Sequence, residues 1–112
     1  MPIAEVEGGD IFYTQKGVGA PMTMLLPQSS GPVGLTPLLD SLRKRFSVIL
    51  YDQRGTGKSA PVPSPEAMSI TGRAEEVCGL LDILKIERSW LCCHSTGCGV
   101  GFATVAAYPD RV

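Results

Sequence analysis

Short apolar runs alternate with stretches of helical periodicity along the chain. Ile3, Ala4 and Val6, then Ile11, Phe12 and Tyr13, flank Gly8-Gly9, the pattern of two short strands joined by a Gly-Gly turn. Gly17-Val18-Gly19-Ala20-Pro21 breaks the second strand. Met22-Thr23-Met24-Leu25-Leu26 follows a proline and predicts a strand buried on both faces. Residues 27–34 read as a loop. Leu35, Leu38, Leu39 and Leu42 recur at helical spacing behind Thr36-Pro37, which predicts a helix of about two to three turns. Phe46–Tyr51 is a second buried strand, ending at Asp52. Pro61, Pro63 and Pro65 exclude helix and central strand from residues 60–68. A helix opens at Ser69-Ile70-Thr71, with Ser69 or Thr71 as its cap and Glu75 and Glu76 toward the positive end of its dipole. Its apolar stripe is Val77, Leu80, Leu81 and Leu84. Trp90–Cys93 is the next strand, and the small apolar stretch Gly97–Tyr108 predicts a buried helix that Pro109 stops.

A hairpin followed by three strand–helix units implies an α/β fold in one domain over residues 1–112. The sheet is mostly parallel, with right-handed crossovers and an N-terminal antiparallel hairpin. Composition agrees: 44% hydrophobic and 19% charged residues are ordinary for a globular protein. The net charge of −1 removes the electrostatic case for nucleic acid or an acidic membrane surface as partner. No apolar run is long enough for a transmembrane helix. Residues 1–20 carry Glu5, Glu7 and Asp10 and lack the apolar core of an export signal. The spacing of Cys78, Cys92, Cys93 and Cys98 fits no common zinc pattern, so they are expected as free, buried thiols with no metal, which points to the cytoplasm.

Two segments carry candidate chemistry. Asp52-Gln53-Arg54-Gly55-Thr56-Gly57-Lys58-Ser59 ends in Gly-Lys-Ser behind a strand, like a phosphate cradle. A cradle needs glycine where Asp52 stands and a helix where three prolines follow. The loop is therefore expected to be structural, with Gly55 and Gly57 permitting a sharp turn and Asp52 and Arg54 pairing with neighbours. Cys93-His94-Ser95-Thr96-Gly97 lies between a strand and a helix of small residues. A nucleophile elbow, Gly-x-Ser-x-Gly, lifts its serine onto a strained strand-to-helix turn, and small flanking residues let the two backbones approach. Gly97 fits this pattern and Cys93 stands in for the first glycine. The competing reading makes Ser95 a plain helix cap. His94 is the only histidine. On an elbow the residue before the serine diverges from it, so His94 is not expected to act as its base.

These motifs together resemble the α/β-hydrolase family, over essentially the whole chain. Asp52–Ser59 looks like the family's Asp-x-Arg-Gly-x-Gly-x-Ser turn, in the form with glutamine that proline iminopeptidase-like members carry. His94–Gly97 looks like its elbow. Tyr108-Pro109-Asp110-Arg111-Val112 looks like the segment that leads into its sixth strand. The resemblance implies the first half of an α/β-hydrolase fold, with Ser95 as nucleophile. It implies oxyanion N–H donors at Thr96 and, by position after the third strand, at Ser29, where Gln28 replaces a usual glycine. The family's chain order is serine, acid, histidine. After Ser95 this chain offers only Asp110, at a helix end, and no histidine. The expected function is that of a serine hydrolase acting on a small ester, lactone or amide without a cofactor. These residues form its incomplete N-terminal part and are not competent alone. The alternative is a silent remnant or interaction module of the same partial fold. The Trp90–Cys93 strand is expected as an exposed edge through which the chain associates.

Overall fold

A computed structural model describes residues 2–27 and 31–112. Its strands are β1 (Ile3–Ala4), β2 (Ile11–Gly17), β3 (Ala20–Leu25), β4 (Phe46–Tyr51) and β5 (Trp90–Cys93), and its helices are α1 (Thr36–Leu42), α2 (Ile70–Ile83) and α3 (Gly97–Ala107). They form one sheet in the order β1-β2-β4-β3-β5. β1 and β2 make the antiparallel hairpin, with Ile3 opposite Phe12 and Ala4 opposite Ile11. β2 then pairs antiparallel with β4, and β3 runs parallel to both β4 and β5.

The apolar runs become interior strands because both sheet faces are covered. On one face Met22, Met24 and Val48 meet Leu39 of α1. On the other, Leu25 and Ile49 meet Val77, Leu80 and Leu81 of α2 and Val100 of α3. The chain steps from β3 to β4 in one direction and from β4 back across β3 to β5 in the other. Crossovers of one hand must then place α1 and α2 on opposite faces, as observed. The reversal falls between the carboxyl ends of β3 and β5, the place where open α/β sheets bind ligands.

Three expectations need correction. Pro65–Met68 is a 3-10 turn, although the prolines had seemed to bar any helix from residues 60–68. Pro65 sits in its first turn, where a missing N–H costs nothing. Glu75 and Glu76 lie beyond the first turn of α2, which contains no acidic residue; the cap is Ser69, whose Oγ accepts from Gly72 N at 2.9 Å. Glu76 is instead buried against Arg73, 3.2 Å away. The third correction concerns α3. Gly97, Val100, Gly101 and Thr104 are buried, but Phe102 is 76% exposed. α3 packs on the sheet and along α2, and among the described residues nothing covers its outer flank. β5 likewise pairs only with β3, and Trp90 at its start is 62% exposed. None of the described helices is long and apolar enough to cross a membrane.

Candidate active site

The site is built where β5 turns into α3. Ser95 has φ 54°, one of two non-glycine residues with positive φ among those described. Left-handed backbone costs an L-residue about 1–2 kcal/mol, so a serine stays there only when its surroundings impose it. Here the next turn does so. Gly97 N donates to His94 O at 2.9 Å and Cys98 N to Ser95 O at 3.0 Å, so α3 starts at once beneath the serine. His94 N donates to Leu25 O at 3.0 Å, tying the turn to the end of β3. A Cβ on Gly97 would overlap that same Leu25 carbonyl. Only glycine allows the strand and helix backbones to come so close.

The cap reading of Ser95 fails on this geometry, because Thr96 is the N-cap residue of α3 and no side chain caps the helix. Ser95, His94 and Thr96 are all exposed. Among the described residues the Thr96 N–H donates to nothing, while the N–H groups of Gly97, Cys98 and Gly99 are used in the turn. No hydrogen bond joins the His94 ring to Ser95. Ser29, the other expected donor, lies outside the described residues.

Cys93 occupies the position of the elbow's first glycine. Its thiol is half-buried against α3, and a Cβ on Gly101 would lie 2.5 Å from its Sγ. Burial pushes the Cys93 thiol above its ordinary value, with the neighbouring thiols of Cys98 and Cys92 adding to the effect. All four cysteines are free, and among the described residues no cluster of His, Cys, Asp or Glu could hold a metal ion.

The loop after β4 is a structural hub. The Asp52 carboxylate fills its interior and accepts from Lys58 N at 3.0 Å, where a cradle would have to leave room for phosphate. Arg54, buried, donates from Nε to Gly9 O at 3.0 Å and from Nη2 to Glu7 O at 2.7 Å, holding the hairpin. Its backbone N–H donates to Glu76 Oε1 at 3.0 Å, and its carbonyl accepts from Arg73 Nη1 at 2.9 Å, holding α2. Gln53 Nε2 donates to Leu26 O at 3.2 Å, which reaches the segment after β3. The arginine of the motif was legible in the sequence; its particular partners were not, since they lie on the hairpin and α2. A cavity of about 420 Å³ opens beside this loop, lined among others by Phe12, Met24, Leu26, Pro27, Leu50 and Gln53.

The open, doubly wound sheet with a strained strand–serine–helix turn at its reversal point defines an α/β hydrolase-like architecture. The alpha/beta hydrolase fold family model matches residues 26–112, and the chain belongs to that family. It is 32% identical over 112 residues to RutD of Azorhizobium caulinodans, a candidate carbamate hydrolase, covering 100% of this chain and 42% of the relative. It is similar in structure to the enol-lactonase of Burkholderia xenovorans LB400 (TM-score 0.89, 30% identity, 99% of this chain and 44% of that one). It is also similar to the N-acyl homoserine lactonase AidH (TM-score 0.87, 28% identity, 98% and 41%). The chain thus spans about two fifths of the length of the relatives it matches.

Proposed function

We propose that the protein carrying these residues is a serine hydrolase acting on a small carbonyl substrate, with Ser95 as its nucleophile. The observation that carries this reading is the positive φ of Ser95 at the start of α3. In a nucleophile elbow that conformation lifts the hydroxyl clear of the helix, and among the described residues the Thr96 N–H donates to nothing. Ser95 Oγ attacks the carbonyl carbon and passes its proton to a base. The oxygen becomes an oxyanion that accepts from Thr96 N–H and from the Ser29 N–H. The bond from carbon to the leaving oxygen or nitrogen breaks as the leaving group takes up the proton. Water then hydrolyses the acyl-enzyme. Lactones and carbamates, named for the relatives, both present such a carbon, and either fits.

His94, the only histidine of the sequence, makes no hydrogen bond to Ser95 and is not proposed as that base. A fluorophosphonate probe applied to the protein should place its adduct on the peptide containing Ser95, and Ser95→Ala should remove it. The 112 residues alone should show no hydrolysis of p-nitrophenyl acetate above that variant. An adduct on a cysteine or another serine, with Ser95 untouched, overturns the assignment.

A further inference from the structure

We infer that Cys93 and Gly101 form a positioning pair: the thiol on β5 takes the space that a side chain on α3 would otherwise fill, and this trade sets the strand–helix distance that holds Ser95 in place. The inference rests on Ser95 being the nucleophile. The argument begins with alternation along β5. Cys92 packs toward α1, and Cys93 packs toward the face that α3 covers. On α3, Gly97 and Gly101 are buried and lie four residues apart, so they stack on the side turned to the sheet. A Cβ built on Gly101 would stand 2.5 Å from Cys93 Sγ, 3.6 Å from Leu25 Cδ1 and 3.7 Å from Cys93 Cβ. The Cys93 thiol thus takes the space that a methyl on Gly101 would need, while Leu25 Cδ1 and Cys93 Cβ would stand at ordinary contact distance.

The consequence reaches Ser95 through a short lever. Gly101 is about 6 Å along the helix axis from Gly97 at the usual rise per residue. Gly97 has no slack, because the Leu25 carbonyl bounds it and also accepts the His94 N–H. A helix pushed away at Gly101 must pivot about that contact. The pivot moves the first turn, which holds the Thr96 N–H and the Ser95 hydroxyl. Misplacement by about 1 Å of groups that must meet a reacting carbonyl is enough to cost on the order of a hundredfold in rate.

The test is a double-substitution cycle in the protein, read by the rate of fluorophosphonate labelling at Ser95 and by thermal melting. Gly101→Ala should slow labelling about tenfold or more with little change in the probe concentration giving half-maximal rate, since the probe's pocket is untouched. Cys93→Gly should slow it only a few-fold. Combining the two should restore labelling to within about threefold of the parent, because one small side chain again fills the gap. A Gly101→Ala protein that fails to fold, while the double variant folds, supports the pair equally. Labelling of Gly101→Ala at the parent rate, or a double variant no faster than Gly101→Ala, overturns it. If the parent is not labelled at Ser95 at all, the hydrolase reading fails, and the melting cycle still decides the pair: rescue of the Gly101→Ala melting temperature upholds the steric trade, and additive losses overturn it.

Discussion

Gly97→Ala isolates the contact on which the elbow depends. In an open helix the substitution stabilises by about 1 kcal/mol, because alanine is the better helix former and glycine loses more freedom on folding. At Gly97 the added methyl would overlap the Leu25 carbonyl. That obstacle is backbone within a strand paired on both sides, by β4 and by β5, so it cannot turn away as a side chain would. Overpacking against a fixed neighbour costs about 1–3 kcal/mol and more when backbone must shift. The net expectation is a loss of about 2 kcal/mol. At about 4–8 °C per kcal/mol for a domain of this size, the melt should fall by roughly 10 °C. Gly99→Ala is the internal control. It lies in the same helix, but its added methyl would meet only the flexible Ile70 Cδ1, at 3.3 Å. There the helix preference should win, leaving stability unchanged or raised by up to about 1 kcal/mol. Thermal and urea melts of both variants followed by circular dichroism make the comparison. A Gly97→Ala protein melting at or above its parent, or the two variants shifting alike, would refute the close approach of β3 and α3.

Two further substitutions probe the buried polar groups behind the site. The Tyr51 hydroxyl is buried without a hydrogen-bond partner among the described residues, and burial pushes its phenol well above the ordinary value, so Tyr51→Phe should raise stability by about 1 kcal/mol; a lowered melting temperature would reveal a partner for the hydroxyl. Burial also raises the Glu76 carboxyl above its ordinary 4.5, against the opposing pull of Arg54 N–H and the Arg73 guanidinium. A raised carboxyl contributes stability that is complete below that ordinary value and is lost as pH rises through the raised one. Glu76→Gln keeps an acceptor for Arg54 N–H and cannot titrate, so parent stability measured against this variant should decline as pH rises above 4.5; a relative gain in that range would contradict the shift.

The strands were legible because their burial is symmetrical. Phe46–Tyr51 is apolar on alternate sides and sits between β2 and β3 with helices on both faces, so no partner had to be known to recognise it. The α3 stretch misled for the complementary reason. Its apolar residues report a surface that favours burial and say nothing of what covers it; Val100 finds α2 and the sheet, whereas Phe102 finds solvent. Ser95 was legible as a serine between a strand and a helix of small residues. The strained turn was legible with it; what presses on that turn was not, because the Leu25 carbonyl lies seventy residues earlier in the chain. The Cys93–Gly101 trade was hidden similarly. Eight residues separate the two, and only the crossing of β5 and α3 makes them neighbours.

The strain at Ser95 persists because the end of β3 serves two loops at once. Leu25 O accepts His94 N–H from the turn after β5, and the next carbonyl, Leu26 O, accepts Gln53 Nε2 from the loop after β4. Gln53 is fixed in turn from two directions: Thr56 Oγ1 donates to its carbonyl at 2.6 Å, and the neighbouring Arg54 is anchored to the hairpin and to α2. At the opposite end of β5, the Ser89 and Thr23 hydroxyls meet at 2.9 Å in the interior, so β5 cannot slide along β3 to relax the turn. Each tie contributes about 1 kcal/mol, comparable to the 1–2 kcal/mol cost of a left-handed serine, and together they exceed it. The motif after β4 thus acts on the elbow without touching Ser95. It holds the strand end against which the serine's turn is pressed, and the hairpin, whose residues take no part in the chemistry proposed for this site, is the far anchor of that support.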